Sequence, residues 1–195
     1  LLKDILYKVR IEQVVGSTNT AIEKLCFDSR EVVPFTAFVA TRGTQVDGHA
    51  FIGKAIAAGA SAVVCEELPE EIKEGVTYVR VASSTEALGI MAANFHDQPS
   101  RKLKLVGITG TNGKTSTATL LYRLFRSLGY KCGLISTVEV RIGQRTIEST
   151  HTTPDAVRLN ELMATMLAER VTHCFMEVSS HSVVQERIAG LHFTG

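Results

Sequence analysis

The sequence predicts an α/β protein in two parts: a small mixed α/β domain over residues 1–98, then the first part of a P-loop domain with a parallel sheet over 99–195. Three observations lead there. Along the second half, apolar runs of strand length alternate with segments of helical period, the rhythm of a parallel sheet wound with helices. The run Thr109-Gly110-Thr111-Asn112-Gly113-Lys114-Thr115 stands between a nearly continuous apolar stretch and a helix-period stretch, which is where a phosphate loop sits. The turn-rich Asp97-Gln98-Pro99-Ser100 separates this rhythm from a different one before it.

In the first part, Leu2, Ile5, Leu6 and Val9 follow helical spacing and predict a short opening helix. Residues 24–27 and 36–40 predict short strands. Residues 47–58 predict a helix with Phe51, Ala55 and Ile56 inward and Gly59 as its stop. Segments 61–65 and 77–81 predict strands on either side of the acidic loop 66–74. Ser83 followed by Glu86 has the spacing of a capping box and opens a helix toward Phe95. In the second part, 103–109 is a nearly continuous apolar strand, as a sheet buried on both faces demands. A helix over 115–128 ends at Gly129. A strand over 131–137, a hairpin over 138–147 turning at Gly143, and a helix over 155–169 with Leu159, Leu162, Met163 and Leu167 inward follow. A strand over 171–178 and a helix from Ser180 complete the pattern. Three central strands are few for such a sheet, so the stretch is expected to be the N-terminal portion of a longer protein.

The 195 residues are 45% hydrophobic and 21% charged, the balance of a globular protein. A net charge of +1 provides no field for a nucleic acid, so any bound anion must be held by a local site. The longest apolar stretch, 55–65, is broken by Gly59 and Ser61 and falls short of the ~20 residues of a membrane span. Lys3, Asp4, Lys8 and Arg10 interrupt any signal-peptide core. The expectation is a cytoplasmic protein without a membrane span. Cys26, Cys65, Cys132 and Cys174 form no CxxC pair and read as buried reduced thiols.

The phosphate-loop run has the parts its chemistry needs. Glycines let backbone N–H groups approach phosphate oxygens, and the following helix points its N-terminal amides at the same anion. Lys114 supplies a point charge and Thr115 a hydroxyl for magnesium. The match to G-x-x-x-x-G-K-[ST] is imperfect: Ile108 stands at the first glycine's position, with glycines at 107 and 110 instead. The loop by itself suits a kinase, an ATPase or a ligase. Glu177 ends an apolar strand, at the carboxyl edge where ligands bind in open α/β sheets. A carboxylate there can hold magnesium with Thr115 or bond to a neighbouring helix N-terminus. Ser29 can donate to a diphosphate, and Arg30 can pair with phosphate or with Asp28. Asp47 reads as the N-cap of the next helix. Thr152 and Thr153 offer hydroxyls and N–H groups at a helix start.

Together with Asp28-Ser29-Arg30, Phe38-Val39-Ala40, Gly43, Asp47-Gly48-His49, His151-Thr152-Thr153-Pro154-Asp155 and Met176-Glu177-Val178-Ser179-Ser180-His181, the loop resembles the Mur ligase family, in the family's order over nearly the whole chain. Pro34-Phe35-Thr36 departs from the family's Pro-Gly-Asp-like turn, which touches only local loop shape. The resemblance implies an N-terminal domain that holds a uridine nucleotide through Ser29 and Thr44-Gln45-Val46. It implies ATP on Gly110, Thr111, Asn112, Gly113, Lys114 and Thr115, with Mg2+ on Thr115 and Glu177, and Lys114 and Glu177 as catalytic residues. Thr152, Thr153, Ser179, Gln185 and Arg187 are then the contacts to a muramoyl dipeptide, the planar fork of Arg187 suiting the D-Glu carboxylate. The implied activity is ATP-dependent ligation of a diamino acid, meso-diaminopimelate or L-lysine, to UDP-MurNAc-L-Ala-D-Glu in peptidoglycan synthesis, by a monomer. The resemblance also implies further catalytic machinery beyond Gly195, so this stretch is expected to be inactive by itself. Two other readings stand beside it. A folylpolyglutamate synthetase of the same family would lack the Asp28-Ser29-Arg30 domain, and the third reading is a non-catalytic nucleotide-binding module. His181 reads equally as a helix-start hydrogen-bonding residue or a catalytic one; His96, His173 and His192 read as structural or surface residues.

Overall fold

The computed structural model describes residues 1–43, 46–143, 145–148 and 154–195. The chain divides into two compact units, Leu1–Phe95 and His96–Gly195, so the boundary expected at 98/99 lies a few residues beyond the division. Pro99–Lys102 forms a short helix, α4, within the second unit, after Asp97 and Gln98 turn the chain with left-handed φ of 59° and 54°.

The first unit opens with α1 (Leu2–Ile5), whose Leu2 and Ile5 are buried. It continues with strands β1 (Ile11–Val15), β2 (Lys24–Cys26) and β3 (Thr36–Val39), helix α2 (Ile52–Ala57), strands β4 (Ala60–Cys65) and β5 (Thr77–Val81), and helix α3 (Ser84–Phe95). The sheet order is β1-β5-β4-β3-β2. β2 through β5 run parallel, and β1 closes one edge antiparallel to β5. β1 corrects the sequence-based expectation, which has no strand there. Its residues are nearly all exposed; an edge strand that buries neither face carries no alternation and no apolar run to read. The central strands behave as expected: every residue of β3 is buried. The Ser83 cap of α3 forms, its Oγ accepting from Glu86 N at 3.1 Å. Asn94 of α3 donates to the carbonyls of Ile5 and Tyr7 at 2.8 and 2.7 Å, which fixes the opening segment to that helix.

The second unit holds β6 (Lys104–Ile108), α5 (Lys114–Ser127), β7 (Cys132–Ile135), the hairpin β8 (Glu139–Ile142) and β9 (Arg145–Glu148), α6 (Ala156–Ala168), β10 (His173–Glu177) and α7 (Ser180–Val184). The sheet order is β6-β10-β7-β8-β9, with β10 parallel to both β6 and β7. One core cluster unites Ala118 and Tyr122 of α5 with Cys132, Leu134 and Phe175 of the sheet. The other unites Leu159, Leu162, Met163 and Met166 of α6 with Leu105, Ile135, Cys174 and Met176. Successive strand residues point to opposite faces, so α5 and α6 cover opposite sides of one sheet. That demand explains why β6 and β10 are apolar between their ends, with Lys104 exposed at the start of β6 and His173 and Glu177 at the two ends of β10. Gly107 is required by close packing: a Cβ there would sit 2.8 Å from the Phe193 ring.

Candidate functional site

Parallel strands send their carboxyl ends to the same edge. In the second unit β6 and β10 pair to the end, Glu177 opposite Ile108, and β7 pairs Ile135 with Met176. The segments that follow these strands therefore emerge side by side. They are the loop from Thr109, the turn at Ser136-Thr137, and the connection from Glu177 into α7.

An open pocket of about 990 Å³ lies there, lined by the 109–115 loop and by Thr137, Glu177, Ser179, His181, Gln185 and Arg187 among others. Gly110 and Gly113 take φ of 142° and 79°, conformations that a side chain would strain. Gly113 is the N-cap of α5, and among the described residues no side chain caps this helix. Its first-turn amides are thus presented to the pocket with the positive end of the helix dipole. Lys114 Nζ donates to the Gly110 carbonyl at 2.7 Å, lying across the loop it belongs to.

Glu177 is 1% exposed, so its carboxylate needs donors. Thr115 Oγ1 donates to Oε2 at 3.1 Å, and Thr137 N donates to Oε1 at 3.1 Å. The Thr137 hydroxyl lies 3.4 Å from Oε1 and 3.3 Å from Thr115 Oγ1. This donor set fits magnesium. It consists of hard oxygens, and two cis oxygens of an octahedral ion at 2.0–2.1 Å lie about 3 Å apart, the separation of Thr115 Oγ1 from Glu177 Oε2. Ser179 caps α7, its side chain accepting from Ser182 N at 3.1 Å, and Gln185 and Arg187 follow that short helix into the pocket lining.

The first unit has a pocket of its own, about 580 Å³, bounded by Phe27, Ser29, Arg30, Thr41, Val46 and Lys54 among others. Asp28 caps the 3-10 turn Ser29–Glu31. Arg30 Nε lies 2.9 and 3.0 Å from the two Asp28 carboxylate oxygens, and Nη2 is 2.5 Å from one of them. That side-chain bond, and then the Arg30 amide, hold the Asp28 carboxyl down at about 2. Of the two partners open to Arg30, the structure gives it Asp28. Asp47 caps a second 3-10 turn, Gly48–Phe51, that runs into α2, so the helix expected over 47–58 starts as a tighter coil. His49 Nδ1 meets Asp47 at 2.6 Å, and its Nε2 accepts from Glu66 N at 2.9 Å, which fixes the turn against the end of β4.

The comparisons with known proteins agree with this layout. The Mur ligase middle domain model matches residues 108–194, and the model described as Mur ligase family, catalytic domain, matches residues 21–96. The chain belongs to the Mur ligase family. It is 58% identical over 195 residues to a UDP-N-acetylmuramoyl-L-alanyl-D-glutamate--2,6-diaminopimelate ligase of Cytophaga hutchinsonii, covering all of this chain and 40% of that relative. A solved structure of a ligase with the same description matches with a TM-score of 0.80 at 24% identity, over 97% of this chain and 38% of the other. A MurF ligase from Thermotoga maritima in complex with ADP matches with a TM-score of 0.50 at 24% identity, over 85% and 34%. The chain thus spans well under half the length of these Mur ligases.

Gly110, Thr111, Asn112, Gly113, Lys114, Thr115, Glu177, Ser179, Gln185 and Arg187 line one pocket, and Ser29 and Val46 line the other. Thr44, Gln45, Thr152 and Thr153 lie outside the described residues. Sequence reasoning missed Thr137, which holds Glu177, and Phe27 and Lys54 in the first unit's pocket. Thr137 follows a parallel strand at the carboxyl edge, a signal sufficient to find it. Lys54 sits on a helix remote in sequence from Ser29, and no motif marks it.

Proposed function

We propose that this chain provides the uridine-nucleotide pocket and the ATP pocket of a cytoplasmic ligase that joins 2,6-diaminopimelate to UDP-MurNAc-L-Ala-D-Glu in peptidoglycan synthesis. One observation carries the reading. The phosphate loop shares its pocket with Ser179, Gln185 and Arg187, and a ligase of this kind must hold a nucleotide and an acceptor carboxylate side by side. The relative's name favours 2,6-diaminopimelate over lysine, and the ADP bound to the Thermotoga maritima enzyme supports ATP as the nucleotide.

A carboxylate resists attack by an amine because it has no leaving group. Transfer of the γ-phosphoryl group to a carboxylate oxygen of the D-Glu side chain gives an acyl phosphate and ADP. The amine then bonds to the acyl carbon, the carbon–oxygen bond to phosphate breaks, and nitrogen loses a proton. Such chemistry is governed by positioning and charge neutralisation. The amides at the start of α5 and Lys114 Nζ bind and orient the β- and γ-phosphates. Arg187 holds the acceptor carboxylate, with Ser179 and Gln185 orienting the peptide. Magnesium, held by Thr115 and Glu177, would neutralise charge on those phosphates. Thr137 keeps the Glu177 carboxylate aimed at that position. In the first unit, Ser29 and Val46 take the uridine nucleotide.

Calorimetric titration of the protein tests both pockets. The expected result is binding of UDP, and magnesium-dependent binding of a non-hydrolysable ATP analogue that Lys114→Ala weakens. A folded protein that takes up neither ligand defeats the proposal.

A further inference from the structure

We propose that Lys54 reads the diphosphate in the first unit's pocket, an inference that rests on assigning that pocket to a uridine nucleotide. The charged residues lining the pocket are Asp28, Arg30 and Lys54. Arg30 is the obvious candidate for an anion, yet its fork is already engaged. Nε and Nη2 both lie within 3.0 Å of Asp28 oxygens, and the backbone amide of Arg30 donates to the same carboxylate at 2.9 Å. Asp28 thus holds the Nε–Nη2 edge of the guanidinium and offsets its charge, leaving a phosphate only the Nη1 side of a neutralised pair.

Lys54 is the third residue of α2 and is exposed. Among the described residues it has no hydrogen-bond or ion-pair partner. With Asp28 and Arg30 cancelling, the charge of the pocket sums to one positive, and Lys54 carries it. An ammonium on a flexible four-carbon stem can follow either phosphate of a diphosphate, whereas the Asp28-bound arginine is fixed in place. The remaining walls suit the uncharged part of a nucleotide. Phe27, Val46 and Phe51 supply apolar surface for a pyrimidine ring, and Ser29 and Thr41 supply hydroxyls. Discrimination between a nucleoside and its diphosphate therefore falls to Lys54.

Titration of the wild-type protein, Lys54→Met and Lys54→Arg with UDP and with uridine tests this. Wild type should bind UDP more tightly than uridine. Lys54→Met should lower UDP affinity about tenfold, as expected for loss of one hydrogen bond to a charged group. It should leave uridine affinity and the melting temperature unchanged, and Lys54→Arg should retain most of the UDP affinity. If wild type binds UDP and Lys54→Met binds it equally well, the proposal is overturned. An equal loss of UDP and uridine also overturns it, because that pattern belongs to a structural residue. A wild-type protein that binds neither ligand overturns the assignment of the pocket itself.

Discussion

Lys114→Ala separates a phosphate-binding lysine from a structural one, because the two roles predict opposite patterns. Among the described residues, the one bond of the ammonium is to the Gly110 carbonyl, at 2.7 Å in a solvent-open loop. An exposed charged contact of this kind contributes at most about 1 kcal/mol. Alanine is also the better helix former at the first position of α5, which recovers a few tenths of that. The second unit should therefore lose less than about 1 kcal/mol, or under about 8 °C in melting temperature for a domain of this size. The effect on turnover is of another order. A pre-positioned cation facing a transferring phosphoryl group supplies at least about 3 kcal/mol, or roughly a hundredfold in rate. The assay is ligation by the complete protein containing this chain, alongside thermal melts of wild type and variant. Near-normal turnover with a normal melting curve would refute the phosphate role; a collapsed melting curve would show that the lysine supports the fold.

Arg187→Lys keeps the charge but loses the bidentate fork, so the apparent KM for UDP-MurNAc-L-Ala-D-Glu should rise about tenfold while that for ATP stays put; an equal rise for both substrates would point to a structural ion pair. Thr137→Val removes the hydroxyl beside Glu177 and Thr115 but keeps the amide that donates to Glu177 at 3.1 Å. The magnesium concentration needed for half-maximal binding of an ATP analogue should rise about tenfold, and an unchanged requirement would leave the orienting role to the amide alone. Asp28 titrates at about 2 in the folded state against 3.8 ordinarily. Its pairing with Arg30 therefore adds stability that is fully present above the ordinary value and is lost as pH falls through the folded one. Asp28→Asn should flatten that part of the first unit's acid unfolding curve, and an unchanged curve would remove the pair from the account.

The parts of the protein that can be read from the residues alone are those whose physics is local. Gly110, Gly113 and Lys114 state a phosphate loop within a few positions, since the backbone conformation and the charge are both needed in one turn. Apolar runs state β6 and β10 because burial on two faces confines polar residues such as Lys104, His173 and Glu177 to the strand ends. β1 is illegible for the converse reason: its stability comes from hydrogen bonds to β5, to which its exposed side chains add little. The Asp28–Arg30 pair is ambiguous in sequence because an arginine beside an aspartate is equally placed to bind phosphate. Only the 3-10 turn after Asp28, which brings the guanidinium back onto the carboxylate, decides between the two. Thr137 and Lys54 depend on where the sheet edge and α2 carry them, and that is tertiary information.

The central claim is that ATP is spent to join a diamino acid to UDP-MurNAc-L-Ala-D-Glu. The direct measurement is phosphate release by the complete protein with ATP, magnesium, that acceptor and either 2,6-diaminopimelate or L-lysine, with the product identified by mass. Phosphate release should require the acceptor and the diamino acid together, be fastest with 2,6-diaminopimelate, and match the amide product one for one. Phosphate release without amide formation, or ligation that proceeds without ATP, would contradict the account.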